Sequence, residues 1–199
     1  MKTSLIFFCF LLSGIFLGQS HILPELEFID GLPLYLLYLL MLLVGISIGM
    51  DTQVLCKVIN IKIHTLLVPL GNVVGSLIGV GLLSIFIPEI SLMDSFAVGA
   101  GFGYYSLSSI MVTQLSGETL GVISLLANII REISTILLAP LLVRFFGKLA
   151  PIAAGGATSM DTTLPIIVKN AGNKYAVVAV INGLILSILV PLLIPIFLL

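Results

Sequence analysis

Residues 153–168, AAGGATSMDTTLPIIV, interrupt a chain whose other long stretches consist mainly of Leu, Ile, Val and Phe. Two adjacent glycines, Gly155 and Gly156, and Pro165 oppose a continuous helix across this stretch. Between them lie five hydroxyl or carboxylate side chains. At membrane depth, non-helical backbone survives only where it is buried in protein or lines a water-filled cavity. If the chain lies in a membrane, this stretch predicts a broken helical element beside a cavity.

The composition assigns the chain to a membrane. Of its 199 residues 59% are hydrophobic and only 9% are charged, whereas about a quarter of the residues of a soluble domain are charged. We therefore predict an all-α integral membrane protein, a polytopic helical bundle. The two cysteines and two histidines form no ligand motif, and no phosphate-binding or hydrolase motif is present. We expect no enzyme, no metal or other cofactor and no nucleic-acid partner, only membrane lipid around the chain.

Residues 1–94 predict a three-span scaffold. The expected spans are Leu5–Leu17, Pro33–Met50 and Thr65–Ile87. The connection 51–64 carries two lysines, so the positive-inside rule places it in the cytoplasm. Glycines recur every fourth residue in the third span, at Gly71, Gly75 and Gly79, and this spacing predicts a smooth face against which another helix packs closely.

Residues 95–199 predict a transport core with two interrupted elements, 95–117 and 149–172, each followed by a membrane helix. Residues 101–128 align without gaps over residues 156–183, which suggests a weak internal repeat. Corresponding interrupted segments in two halves indicate the midplane binding site of a transporter. The sequence leaves open whether these elements are re-entrant or cross the membrane, and with it the orientation of the second half.

The long helix 118–146 carries a polar stripe. Asn128, Arg131, Glu132 and Thr135 follow the i, i+3, i+4, i+7 spacing of one helix face. An unpaired charge in mid-membrane costs at least about 2.5 kcal/mol, so at least one of Arg131 and Glu132 is expected to find a partner elsewhere, and Asp161 is the natural candidate. If Arg131 and Asp161 form a buried pair, Glu132 is the free carboxylate that carries a proton or meets a cationic substrate. Alternatively, Asp161 caps a helix or binds substrate, and Arg131 contacts a substrate carboxylate.

Tyrosines and hydroxyls complete the predicted substrate- or proton-binding site. Tyr104 and Tyr105 either anchor the chain at the membrane interface or offer hydroxyls and π faces to an ammonium group. Other neutral groups are expected to hydrogen-bond the substrate: Ser106, Ser108, Thr158 and Ser159.

Three motifs resemble the LysO family of bacterial lysine exporters: GFGYYSLSS (101–109), LLANIIREI (125–133) and GGATSMDTTLP (155–165). The resemblance implies export of L-lysine and its toxic analogues across the inner membrane, driven by an ion gradient, with the proton as the expected coupling ion. It also implies a functional acidic residue at Glu132, while Asp161 holds the acidic position of the S-M-D motif.

The resemblance covers the C-terminal two-thirds of a typical family member. It therefore predicts that a separate small membrane protein, a second copy of this chain, or both complete the exporter. Two other interpretations stay open. One is a cation/proton antiporter or other organic-ion transporter, and the other is a non-transporting pore-forming or regulatory membrane subunit.

Overall fold

The computed structural model describes residues 63–199, with side chains from Thr65 onward, and four isolated helical positions, Tyr35, Leu39, Leu42 and Ile46. The chain divides into two compact units, residues 1–42 and 43–199, and all the helices named below belong to the second. Apart from those four positions, the predicted spans Leu5–Leu17 and Pro33–Met50 lie outside the described residues. So does the connection 51–64, except for the first two residues of the first described helix.

Between residues 63 and 199 every regular element is helical. In chain order the helices are α1 (Ile63–Ser84), α2 (Leu92–Gly99), α3 (Tyr105–Ser116), α4 (Glu118–Phe146), α5 (Ala150–Gly155), α6 (Leu164–Ala171) and α7 (Ala176–Leu198). Two short 3-10 turns, Gly156–Met160 and Asn173–Tyr175, precede α6 and α7.

Three of these helices are long and apolar enough to cross a membrane. The candidate spans are Thr65–Ser84, Glu118–Phe146 and Asn173–Leu198, with mean hydropathies of 2.0, 1.8 and 2.7. The last is the most apolar and the most buried, as expected of a helix surrounded by other helices. The prediction of an all-α membrane protein is confirmed.

Each predicted interrupted element consists of two short α-helices separated by backbone that is not α-helical. We call α2 with α3 (residues 92–116) the first broken pair, and residues 100–104 between its helices the first break. The second broken pair runs from α5 to α6 (residues 150–171), and residues 156–163 form the second break. Positive φ angles end the helical path at both breaks, at Phe102 (45°), Gly103 (93°) and Gly156 (64°).

The predicted repeat pairs Gly117 with Gly172, and these two glycines have nearly the same backbone conformation. Gly117 has φ 97° and ψ 169°, and Gly172 has φ 106° and ψ 155°. Each ends a broken pair, and each precedes the segment that leads into a long helix. The positive φ makes glycine the favoured residue at both positions. A glycine with the same backbone conformation therefore follows both broken pairs.

The glycine face predicted on α1 is not a packing face within residues 63–199. A Cβ added at Gly71, Gly75 or Gly79 would have no atom of another element within 4 Å. The neighbouring Asn72 is buried instead. The helix therefore turns its polar side toward the described bundle, because Asn72 finds hydrogen-bond partners there and glycine offers none.

Candidate functional site

A cavity of about 130 Å³ opens where the two breaks meet α7. Its polar lining comes from all three elements: Tyr104, Tyr105, Ser106, Thr158, Asp161, Thr162 and Ser187. Gly103, Ala157 and Met160 complete the wall. The structure therefore brings five of the predicted site residues to one cavity: Tyr104, Tyr105, Ser106, Thr158 and Asp161.

The two breaks contact each other directly. The Ala157 N–H of the second break donates to the Phe102 carbonyl of the first, at 2.8 Å. A Cβ on Gly156 would collide with that same carbonyl, and a Cβ on Gly103 would lie 3.0 Å from the Gly155 oxygen. The glycines of both motifs are therefore needed for this close backbone approach.

One buried asparagine stabilises each break. The Asn128 Oδ1 of α4 accepts from the Gly103 N–H at 2.7 Å, and its Nδ2 donates to the Ser124 carbonyl at 2.8 Å. The Asn182 Nδ2 of α7 donates to the Gly156 carbonyl and to Ser159 Oγ, both at 3.0 Å. These bonds supply partners that the broken helices cannot supply for themselves.

The expected ion pair between Arg131 and Asp161 is wrong. The Arg131 guanidinium donates to the carbonyls of Ala153 (3.0 Å) and Ala154 (2.8 Å), near the C-terminal end of α5. It also donates to Asn72 Oδ1 (2.6 Å) and Ser76 Oγ (3.0 Å) of α1. The last carbonyls of a helix lack intrahelical donors and carry partial negative charge. They therefore attract the guanidinium without a carboxylate.

Asp161 is exposed and lies in the cavity wall. Its Oδ1 accepts from the backbone N–H and, at 3.4 Å, from the hydroxyl of Thr162. These local bonds orient the carboxylate and leave it reachable from the cavity. Of the two acidic residues predicted for the site, Asp161 is the one that the structure places at the cavity.

Glu132 is half-buried on α4 and does not line the cavity. Within residues 63–199 its carboxylate makes no hydrogen bond or ion pair. Two other residues of the predicted stripe, Asn128 and Thr135, are less than 4% exposed, as is Ser124 one turn earlier on α4. The Thr135 hydroxyl donates back to the Arg131 carbonyl at 2.8 Å. The functional role of Glu132 stays a prediction.

Two predicted hydroxyl ligands lie in the protein interior instead of the cavity wall. Ser108 accepts from Ser124 Oγ and Asn128 Nδ2, both at 3.5 Å. Ser159 Oγ lies 2.7 Å from the Gly156 carbonyl and 2.8 Å from the Ala179 carbonyl. Both serines are fully buried, so their hydroxyls support the breaks and do not reach the cavity.

The prediction omitted four polar residues that the structure places at these contacts: Asn72, Ser76, Asn182 and Ser187. Each is an isolated polar residue in an otherwise apolar helix, which is itself a signal of a functional or structural contact in a membrane. The glycine spacing in α1 predicted a packing face with Gly71, Gly75 and Gly79, whereas Asn72 and Ser76 make their contacts from a different side of that helix.

Tyr104 lines the cavity together with Asp161. It lies between α2 and α3, outside the three long helices. Partial burial, and secondarily the Asp161 carboxylate, raise the pKa of its phenol above the usual value of 10. Tyr104 is therefore a neutral hydroxyl donor at physiological pH.

Comparison with known proteins assigns the chain to a family. The family model described as "Lysine exporter LysO" matches residues 8–198. "Lysine exporter LysO" of Escherichia coli K12 is 39% identical over 163 residues, which cover 82% of this chain and 54% of that protein. A "Putative lysine exporter" of Haemophilus influenzae Rd is 34% identical over 172 residues, 86% of this chain and 87% of that protein.

The chain thus spans about half the length of the E. coli relative. No solved structure matches it. The matched region includes all three motifs and both breaks. On this family match, the chain belongs to the lysine exporter LysO family.

Proposed function

We propose that this chain is a secondary transporter that exports L-lysine and lysine analogues across the bacterial inner membrane, coupled to an ion gradient. One observation carries the proposal: a small cavity, lined by several polar side chains and a single carboxylate, lies where two helix breaks meet an apolar helix. Broken helices at mid-membrane are how secondary transporters build substrate sites. The names of two relatives support lysine as the solute.

Asp161 and Tyr104 suit the ammonium end of lysine. The Asp161 carboxylate supplies the negative charge of the cavity, and Tyr104 supplies a neutral hydroxyl and an aromatic face beside it. Cations bind carboxylates through charge-assisted hydrogen bonds and aromatic faces through their quadrupole. Thr158 and Thr162 add neutral oxygens to the same wall.

The start of α3 suits the carboxylate end. α3 begins at Tyr105, and its N-cap residue, Tyr104, makes no side-chain capping hydrogen bond. Tyr105 and Ser106 both line the cavity. Because the first N–H groups of a helix lack intrahelical partners and carry partial positive charge, they favour a bound carboxylate. The cavity thus combines a carboxylate with the N-terminus of a helix, a mixed polarity that matches a zwitterion bearing an extra ammonium group.

The size of the cavity favours a small solute. Its volume of about 130 Å³ is well below the roughly 300–1,000 Å³ of sites for drug-sized ligands. A single amino acid fits a cavity of this volume, and a peptide does not. The site is therefore proposed for free lysine and analogues of the same length.

Arg131 and Glu132 take different roles in this proposal. Arg131 holds the end of α5 in place, because all four of its hydrogen bonds go to protein acceptors. Glu132, next to it on α4, is the proposed proton site. A proton taken up by Glu132 or Asp161 removes a negative charge and weakens ammonium binding, which would couple lysine release to proton entry.

Counterflow in proteoliposomes tests the proposal. The chain is reconstituted alone and together with the N-terminal portion of the E. coli relative, since we propose that a membrane partner or a second copy completes the exporter. Labelled lysine should exchange against internal lysine, and Asp161→Asn should lower the rate at least tenfold. Glu118→Gln, the same chemical change at an exposed position outside the cavity, should retain the rate.

Two outcomes would contradict lysine export. Movement of sodium without lysine exchange would identify a cation antiporter. Failure to move any solute in both preparations, at normal abundance in the vesicles, would identify a non-transporting subunit.

A further inference from the structure

The first broken pair returns to the end where it begins. α2 begins at Leu92 and α3 ends at Ser116. The Ser116 hydroxyl donates to Asp94 Oδ1 at 3.2 Å, and the Ser91 hydroxyl donates to Asp94 Oδ2 at 2.7 Å. A segment that crossed the membrane would hold these residues about 30 Å apart.

The second broken pair returns in the same way. Lys148 precedes α5 and Tyr175 follows α6, and the Lys148 ammonium lies 5.9 Å from the centre of the Tyr175 ring. Inside the bundle, Ile152 of α5 belongs to one buried cluster with Ile167 and Ala171 of α6. The first and last residues of this pair therefore lie at the same end of the bundle.

The three long helices separate these two ends. α4 has 29 residues, about 43 Å at 1.5 Å per residue, which is enough to span the membrane. Val143 near its C-terminal end packs against the cluster at the second pair, as does Val68 near the start of α1. At the opposite end, the ring of Phe197 of α7 contacts the ring of Phe96 of α2, with 5.4 Å between the ring centres.

We propose that the two broken pairs are re-entrant hairpins that enter from opposite faces of the membrane and meet at their tips. The tips are the two breaks, joined by the hydrogen bond from Ala157 to Phe102. Each unit, a hairpin followed by one long helix, crosses the membrane once. An odd number of crossings makes the second unit inverted relative to the first, the arrangement of inverted-repeat transporters.

The charges assign the faces. Within residues 63–199, the end of the bundle that holds the start of the first hairpin carries only acidic side chains, Glu89, Asp94 and Glu118. The end that holds the start of the second carries only basic ones, Arg144, Lys148, Lys169 and Lys174. The positive-inside rule then places the second hairpin on the cytoplasmic side and the first outside. Crossing segments would instead put Arg144 and Lys148 on the face opposite Lys169 and Lys174.

In this topology one hairpin lies on each side of the cavity along the membrane normal. Because the cavity lies at the joined tips, the first hairpin separates it from the outside and the second from the cytoplasm. Movement of one hairpin at a time would open the site to one face only, which is what alternating access requires. The inference concerns the path of the chain and holds for any solute.

Single-cysteine labelling tests the path. In a background without Cys9 and Cys56, the exposed positions Glu89 and Thr119 flank the first hairpin, and Leu149 and Asn173 flank the second. A membrane-impermeant maleimide applied to intact cells should label Glu89→Cys and Thr119→Cys. It should label Leu149→Cys and Asn173→Cys only after the inner membrane is permeabilised.

Labelling of Glu89→Cys and Thr119→Cys from different faces would overturn the first hairpin, and the same result for the other two would overturn the second. Reversed labelling of all four would overturn the assignment of faces. A fusion at Leu199 checks the result without internal substitutions. Alkaline phosphatase should be active there and green fluorescent protein dark, because α7 is expected to end outside, and the opposite pattern would overturn the proposal.

Discussion

Replacing Arg131 with methionine should destabilise the bundle, and replacing Asp161 with asparagine should leave its stability unchanged. Arg131 joins α4 to α1 and α5 through four hydrogen bonds, to Asn72, Ser76, Ala153 and Ala154. Asp161 makes only local bonds to its neighbour Thr162. If the two charges were a structural pair, loss of either one would have a similar cost.

The magnitude follows from which acceptors lose their donor. Without the guanidinium, the Ala153 carbonyl keeps Asn72 Nδ2 at 2.9 Å, and Asn72 Oδ1 keeps the Ser76 hydroxyl at 3.3 Å. The Ala154 carbonyl loses its side-chain donor, and an unsatisfied buried acceptor costs about 1–3 kcal/mol. Methionine also removes the cost of burying a charge, so we expect a net loss within that range. The midpoint should fall by about 2–12 °C for a bundle of this size.

The assay compares heated, detergent-purified variants by the fraction that stays monodisperse on size exclusion. Asp161→Asn should shift the midpoint by less than about 2 °C, because exposed substitutions change stability by about 0.5 kcal/mol or less. Asn72→Ala should reproduce part of the Arg131→Met loss, and the double variant should lose less than the sum. If Asp161→Asn lowered the midpoint as far as Arg131→Met, the hydrogen-bond account of Arg131 would be refuted.

Two further predictions concern the breaks. Gly156→Ala should abolish transport and lower abundance, because Gly156 has φ 64° and an added Cβ would collide with the Phe102 carbonyl. The control is Gly75→Ala, which should be neutral in the same counterflow and abundance measurements because its added Cβ meets nothing within 4 Å. Tyr104→Phe should raise the KM for lysine up to about tenfold and leave the alkaline limb of the pH profile in place. The raised pKa of Tyr104 keeps its phenol protonated over roughly pH 6–9, so an alkaline limb that moved in the variant would contradict this assignment.

The ends of a helix were predictable where a flanking glycine and a charge of the favourable sign both occur. The helix 118–146 matches α4 at both bounds, because glycines flank it, Glu118 lies in its first turn and Arg144 in its last. Those charges complement the helix dipole, and both flanking glycines adopt positive φ. The two breaks fall inside the predicted interrupted elements 95–117 and 149–172 for a related reason, since the glycines at the breaks oppose the helical path locally.

The partner of Arg131 was not predictable from local signals. Its acceptors include two backbone carbonyls, which any residue type supplies and no motif announces. The other two, Asn72 and Ser76, lie more than 50 positions away in the chain. Charge alone favoured Asp161, although a helix end competes well for a guanidinium in a low-dielectric interior. The sequence thus predicts that a buried charge needs a hydrogen-bond partner, but it does not predict which acceptor lies next to that charge in the fold.

The two broken pairs are more alike in their contacts than in their aligned sequences, and two asparagines explain why. Asn128 serves the first break by accepting from an N–H, whereas Asn182 serves the second by donating to a carbonyl. A side-chain amide contains both an acceptor and a donor. The same residue type therefore stabilises two breaks that present opposite backbone groups. Aspartate could replace neither residue, because Asn128 also donates from Nδ2 to the Ser124 carbonyl and a carboxylate has no hydrogen to donate. Both breaks therefore depend on a side-chain amide, although the two amides serve opposite backbone groups.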